Sequence, residues 1–197
     1  MASSTQPGLF EPDATAAFEP LGLAYQEEFI TKREETDLID LILSLPLRQA
    51  TYKQYTARRR VLSFGWSYDY DANALIDAPD IPVEFEFLRK RIAAWTGVAD
   101  HSFAQLLITD YPPGTPLGWH RDVPDYELIA GVSLGSAATL RFRPYPPTPG
   151  VKSVLRELEA APRSAYSMRG PARWEWQHCV PPTPAQRWSL TFRTRVS

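Results

Sequence analysis

The sequence predicts a mainly β protein with buttressing helices, an α+β chain built as a sandwich, barrel or jelly roll. Three observations lead there. Seven short runs rich in aromatic, aliphatic and β-branched residues each end at a Pro, Gly or Asp cluster, and from the second run onward no helical pattern lies between them to make parallel crossovers. Proline supplies 19 of the 197 residues, about twice the usual share of roughly 5%, and it gathers in turns such as "YPPGTP", "RPYPPTPG" and "VPPTPAQ". Only two segments, both upstream of most of the strands, carry an apolar period of helical spacing.

Residues 1–22 hold Gly, Pro, Ser and Ala without sustained periodicity and are expected to form a partly ordered arm. Residues 23–197 then form a single folded domain. Its first helix starts at Thr31, which with Glu34 makes a capping box; Leu38, Leu41, Ile42 and Leu45 share one face, and Pro46 stops the run. In the second, Pro82 sits near the start, Phe85, Leu88, Ile92 and Trp95 share a face, and Gly97 lies where a C-terminal cap belongs. The strand runs are "RVLSFGWSYDY", "FAQLLITDY", "ELIAGVSLG", "ATLRFRP", "SAYSM", "RWEWQHCV" and "RWSLTFRTR". The two helices are amphipathic and need a sheet to cover.

Composition narrows the function classes. Apolar residues are 44% and charged residues 22% of the chain, which excludes a wholly disordered protein. The formal charge of -2 gives no global field toward nucleic acid or an anionic membrane, so any polyanion contact must come from local basic clusters. Cys179 is the only cysteine, so no internal disulfide forms and a reducing, cytoplasmic compartment suffices. The N-terminal stretch has no basic leader followed by an apolar run, and nothing approaches the roughly 20 apolar residues of a membrane span. No membrane partner is expected, and the chain is read as a monomer.

The segment "GWHRDVPD" places two metal-binding side chains, His120 and Asp122, around an arginine in a chain with 3 histidines. In an extended segment residues two apart point the same way, so these present one nitrogen and one oxygen to a common point. An unremarkable surface pair fits the pattern equally well. His178 ends "RWEWQH", where Trp174, Trp176 and His178 share a strand face, and a distant strand can bring that imidazole inward. Two histidines and one carboxylate with open positions suit non-haem Fe(II) oxygen chemistry, with zinc as the competing metal.

In "RWSLTFR" the period of two sets Arg187, Ser189, Thr191 and Arg193 on one face and Trp188, Leu190 and Phe192 on the other. An inward arginine needs an anionic partner. An internal ion pair is one answer. The other is a dicarboxylate such as 2-oxoglutarate, gripped by the guanidinium at one end and chelating a metal at the other.

"TDYPPGTPLGWHRD", "GVSLG", "RWEWQH" and "RWSLTFR" together resemble the successive signatures of the AlkB-like Fe(II)/2-oxoglutarate dioxygenases, in order across residues 105–195. The resemblance implies a double-stranded β-helix (jelly-roll) core at about 102–197, a substrate lid at about 50–78, and His120, Asp122 and His178 as the iron triad. It implies that Arg187 binds the distal carboxylate of 2-oxoglutarate with help from Tyr111, and that Arg193 lines the same pocket, along with Thr109, Ser189 and Thr191. The chain departs from the family pattern where Ser189 and Thr109 replace asparagines, and where a substrate-contacting acid falls on Pro124 with Asp125 adjacent.

The activity so implied consumes 2-oxoglutarate and O2, releases succinate and CO2, and hydroxylates a C–H bond. On an N-methylated base the product falls apart to formaldehyde and the unmodified base. Such a base must be flipped out or single-stranded and held by aromatic rings. Trp66, Tyr68 and Tyr70 alternate on one face of "FGWSYDY" and are candidates for that role, or for packing a helix on the sheet. Arg58, Arg59 and Arg60 beside them are candidates for phosphate contact, or a solvated charge run. The preferred reading is an oxidative demethylase of alkylated DNA or RNA. A dioxygenase acting on a protein side chain or small molecule is the alternative, suggested by the acidic balance, and a jelly-roll binding module without turnover is a third.

Overall fold

The computed structural model describes residues 20–52, 55–150 and 153–196; residues 1–19 of the expected arm lie outside the described residues. In chain order the elements are β1 (Leu23–Gln26), α1 (Lys32–Ser44), β2 (Arg48–Tyr52), β3 (Tyr55–Phe64), β4 (Trp66–Asp69), β5 (Ala74–Asp77) and α2 (Glu86–Thr96). Then come β6 (Phe103–Tyr111), β7 (Leu117–His120), β8 (Tyr126–Gly135), β9 (Ala138–Pro144), β10 (Arg156–Ala160), β11 (Ala165–Met168), the single turn α3 (Pro171–Trp174), β12 (Trp176–Val180) and β13 (Arg187–Arg195).

The strands make a seven-stranded sheet in the order β1-β11-β8-β13-β6-β3-β2, a four-stranded sheet in the order β10-β9-β12-β7, and the small β4-β5 hairpin. Every pairing is antiparallel. Two apolar layers follow from the period of two in the strands. On one side of the large sheet, Leu106 and Ile108 of β6, Val132 and Leu134 of β8, and Leu190 and Phe192 of β13 pack against Leu38 and Ile42 of α1 and Leu88 and Ile92 of α2. Tyr126, Ile129, Leu140, Phe142, Leu158 and Met168 form the second layer, which joins the large sheet to the small one. This is a jelly roll with both helices buttressing one face.

The helix boundaries have local causes. Thr31 Oγ1 accepts from the Glu34 N–H at 3.2 Å and Glu34 Oε2 accepts from the Thr31 N–H at 2.8 Å, which completes the capping box. The Glu34 carboxylate also pairs with Arg91 of α2 at 2.6 Å, tying the two helices together. Gly97 ends α2 in the left-handed region at φ 73°, as a C-terminal cap requires.

Two strand expectations are corrected. "RVLSFGWSYDY" is not one strand: Gly65, at φ 74°, breaks it into β3 and β4, and a Cβ there would lie 2.1 Å from the Ala104 carbonyl oxygen. That break turns the chain out of the large sheet and into the hairpin. "RWEWQHCV" does not start as a strand either. Trp174 closes the turn α3, opened by Pro171 at its first position, and β12 begins only at Trp176.

Candidate active site

Antiparallel pairing of β7 with β12 sets His120 directly opposite His178, with ring centroids 4.2 Å apart. Asp122 follows β7 by two residues, and its Oδ2 lies 3.8 Å from His178 Nε2. One ligand atom from each of the three residues falls within 4.8 Å of the others. Ligands at right angles around an ion at about 2.1 Å lie roughly 3 Å apart, so closing the three atoms by about 1–2 Å suffices to coordinate. The His120 Nδ1 proton donates to the Gly118 carbonyl at 2.9 Å, which leaves Nε2 with a free lone pair.

Electrostatics prepare the three groups for a cation. Burial pushes the pKa of His178 down to about 3, with the neighbouring His120 adding to the effect. Burial also lowers that of His120. Both imidazoles are therefore neutral near pH 7, as metal ligands must be. For Asp122, burial works upward, yet the Arg193 guanidinium chiefly holds the carboxyl well below the usual carboxylate range.

Asp122 is held in place from two sides. Arg193 donates from Nε at 2.9 Å and from a terminal nitrogen at 2.7 Å, both to Oδ1, and its other terminal nitrogen reaches Gln105 Oε1 at 2.8 Å. Oδ2 is thereby left toward the histidines. Arg173 of α3, only 3% exposed, donates to the carbonyls of Tyr126 at 3.0 Å and Val123 at 2.6 Å, pinning the loop that follows Asp122. Arg193 was expected in the co-substrate pocket; its hydrogen bonds go to the metal-site carboxylate and Gln105.

Arg187 is 1% exposed and has no carboxylate at ion-pair distance among the described residues. Its Nε donates to Ser133 Oγ at 3.0 Å, and its guanidinium lies 5.0 Å from the Tyr111 ring centroid, Tyr111 being its cross-strand neighbour. Thr109, likewise buried, is opposite Ser189, whose Oγ is 3.4 Å from Thr191 Oγ1. A row of hydroxyls thus runs from the unpaired guanidinium toward the triad. A dicarboxylate whose far end neutralises Arg187 fits this chemistry.

The β4-β5 hairpin and β3 carry the lid candidates. Tyr68 and Tyr70 stand edge to face, centroids 5.0 Å apart, and the Tyr70 phenol is close enough to Arg193, Asp122 and Arg59 to feel their charges. Trp66 packs under the Arg195 guanidinium at 4.9 Å, and its carbonyl accepts from Gln105. The three arginines separate. Arg60 is paired with buried Asp110 at 2.6 Å, Arg58 donates to the Pro113 carbonyl at 3.3 Å, and Arg59 acts on His120 and Tyr70.

Sequence reasoning missed two site residues, Arg173 and Tyr166. The buried Tyr166 of β11 lies close to Ser189, Arg187, Tyr111 and Asp122. Its ring lies over Gly131, where a Cβ would meet Cζ at 2.4 Å. The glycine in "GVSLG" was the available signal: inside a buried strand it marks a close approach.

A jelly roll with a histidine–aspartate–histidine triad and an unpaired buried arginine defines the class of non-haem oxygenases. The model of the 2OG-Fe(II) oxygenase superfamily matches residues 22–193, and the chain belongs to that family. It is an AlkB-like 2-oxoglutarate oxygenase: an Arabidopsis thaliana protein described as an alkylated DNA repair protein ALKBH8 homolog is 25% identical over 81% of this chain and 51% of its own length. The uncharacterized protein L905 of Acanthamoeba polyphaga mimivirus is 34% identical over 43% of this chain and 40% of its own. The chain thus spans about half or less of the length of these relatives. Among solved structures, OsALKBH1 superimposes with a TM-score of 0.69 at 16% identity, covering 88% of this chain and 97% of that one. A Trichoplax adhaerens prolyl hydroxylase gives 0.61 at 11% identity, covering 88% and 83%. A Pseudomonas putida prolyl-4-hydroxylase gives 0.57 at 18% identity, covering 89% and 93%. The protein is a dioxygenase that uses Fe(II), 2-oxoglutarate and O2.

Proposed function

We propose that this dioxygenase removes N-alkyl groups from the bases of DNA or RNA. The observation that carries the reading is the Tyr68–Tyr70 pair beside the triad: stacked or edge-on rings near a metal site suit a planar base. The likeness to an alkylated DNA repair homologue over most of the chain supports it.

Ferrous iron with 2-oxoglutarate and O2 supplies the oxidation, in which one oxygen atom enters succinate as CO2 leaves and the other enters a substrate C–H bond. The chain's own residues bind and orient. His120, His178 and Asp122 Oδ2 hold the ion, while Arg193 fixes the carboxylate by occupying Oδ1. Arg187 pairs with the distal carboxylate of 2-oxoglutarate, Tyr111 covers the guanidinium, and the hydroxyls of Thr109, Ser189, Thr191 and Tyr166 line the space between. Tyr68 and Tyr70 hold the base, and Arg59 adds positive charge for its phosphates. The hydroxymethyl product at nitrogen then expels formaldehyde, the hydroxyl proton is released, and the ring nitrogen is left unmodified.

The test is incubation of the protein, Fe(II) and 2-oxoglutarate with oligonucleotides carrying 1-methyladenine or 3-methylcytosine, followed by mass spectrometry. Loss of one methylene mass per lesion, matched by succinate, is the expected result. Succinate without any mass loss on either lesion would overturn the nucleic-acid assignment in favour of a protein side chain or small molecule.

A further inference from the structure

A cavity of about 360 Å³ lies at Asp122, between the loop after β7 and α3. Arg121, Arg173, Tyr145, Trp174 and Gln177 line it, with Asp122 among the wall residues. Arg173 is nine-tenths and more buried, and neither it nor Arg121 has a carboxylate at ion-pair distance among the described residues. The two guanidiniums are close enough to oppose each other's charge. Two acids act on Arg173, Asp122 and Glu127: the first is engaged by Arg193, and the second accepts from Trp174 Nε1 at 3.4 Å. Positive charge at this cavity is therefore under-compensated.

The basic surface continues outward. Arg121 lies 4.2 Å from the Tyr145 ring centroid and Arg143 4.2 Å from that of Trp119. Arg143 donates twice to Gln177 Oε1, at 3.1 and 3.0 Å, which joins it to the cavity wall. Arg143 likewise has no acid at ion-pair distance among the described residues, whereas Arg141, two residues earlier on β9, is paired with Glu157 at 2.7 Å. Stacking on rings holds the forks of Arg121 and Arg143 in place while leaving N–H groups to bind.

We infer that this cleft is a phosphate-binding subsite, taking phosphodiesters of a single-stranded nucleic acid whose target base sits at the triad. Three guanidiniums without an acidic partner, Arg173 and Arg121 lining the cleft and Arg143 joined to its wall through Gln177, match a ligand with repeated negative charge; one acidic side chain would neutralise only one of them. The net charge of -2 makes such a local track the means by which this chain attracts a polyanion. The inference rests on the nucleic-acid reading of the active site.

The experiment uses the full chain and an end-labelled, unmodified single-stranded oligonucleotide, with binding followed by fluorescence anisotropy across a salt series. Each phosphate contact on a single strand contributes about 0.7 to the slope of log affinity against log salt. Arg121→Gln should flatten the slope by about 0.7, and Arg121→Gln with Arg143→Gln by about 1.4, weakening all base sequences alike. Arg141→Gln is the control on the same sheet and should keep the wild-type slope. Wild-type binding with an unchanged slope in both Arg121 and Arg143 variants overturns the subsite and leaves the demethylase reading standing. No binding by the wild-type protein, with demethylation of the methylated oligonucleotides also absent, overturns both. Tighter binding of an acidic peptide than of the oligonucleotide, lost in Arg121→Gln, reassigns the cleft to a protein ligand and overturns the proposal.

Discussion

Replacing Arg187 by methionine separates a ligand-binding arginine from a structural one. The guanidinium is 1% exposed and has one hydrogen bond, to Ser133, and one ring contact, to Tyr111. Losing these costs about 1 kcal/mol for the hydrogen bond and about 0.5–2 kcal/mol for the cation–π contact. Against this, the substitution removes a buried charge without an acidic partner, whose desolvation penalty is several kcal/mol. Without co-substrate, Arg187→Met should therefore melt no lower than the wild type. With 2-oxoglutarate at about 100 times its Kd, binding stabilises the wild type by about 2.7 kcal/mol. For a chain of 197 residues, at roughly 2–4 °C per kcal/mol, the rise in Tm is about 5–11 °C. The variant should show no rise. Differential scanning fluorimetry with the redox-inert Mn(II) in the metal site, with and without 2-oxoglutarate, reads both quantities. A variant that melts well below the wild type yet keeps the full ligand shift would refute the assignment and make Arg187 a structural residue.

Other expectations follow from the same geometry. Arg193→Met frees Asp122 Oδ1 and should weaken metal binding by about 10–100-fold, measured by anaerobic calorimetry; unchanged affinity would remove Arg193 from its orienting role. Tyr166→Phe deletes one hydroxyl at Ser189 and should raise the KM for 2-oxoglutarate about fivefold, the equivalent of about 1 kcal/mol, with kcat little changed. Gly131→Ala drives a methyl against the Tyr166 ring and should cost about 1–3 kcal/mol in chemical denaturation, a loss that Gly131→Ala with Tyr166→Ala partly recovers. Glu34 has its pKa lowered from 4.5 to about 2, chiefly by the Arg91 hydrogen bond. Its contribution is complete above about pH 4.5 and fades as pH falls toward 2, so Glu34→Gln should lower stability near neutrality and flatten the acid limb of a stability–pH curve.

What the sequence revealed about this site depended on the range over which each signal acts. The period of two in "RWSLTFR" correctly separated the polar face of β13 from Leu190 and Phe192, because alternation is local to one strand. The capping box at Thr31 was legible for the same reason. Meeting of His120 with His178 is a matter of β7 pairing with β12, across a long stretch of chain, and no local pattern encodes it; the family resemblance supplied it. The break at Gly65 and the turn at Gly170–Pro171 carried Gly and Pro signals, but the aromatic residues around them read as continuous strand. Tyr166 over Gly131 and Arg173 beneath the Asp122 loop are contacts between separate elements, visible only once β11 lies beside β8 and α3 beside the loop. Pairing of Arg60 with Asp110 likewise needed the register of β3 on β6.

The most direct measurement is anaerobic titration of the metal-free protein with ferrous iron, beside the Asp122→Ala variant. The account predicts one equivalent bound by the wild type and none by the folded variant at the same concentration. An undiminished equivalent in Asp122→Ala, or no binding by the wild type, would contradict a ferrous centre built from His120, Asp122 and His178.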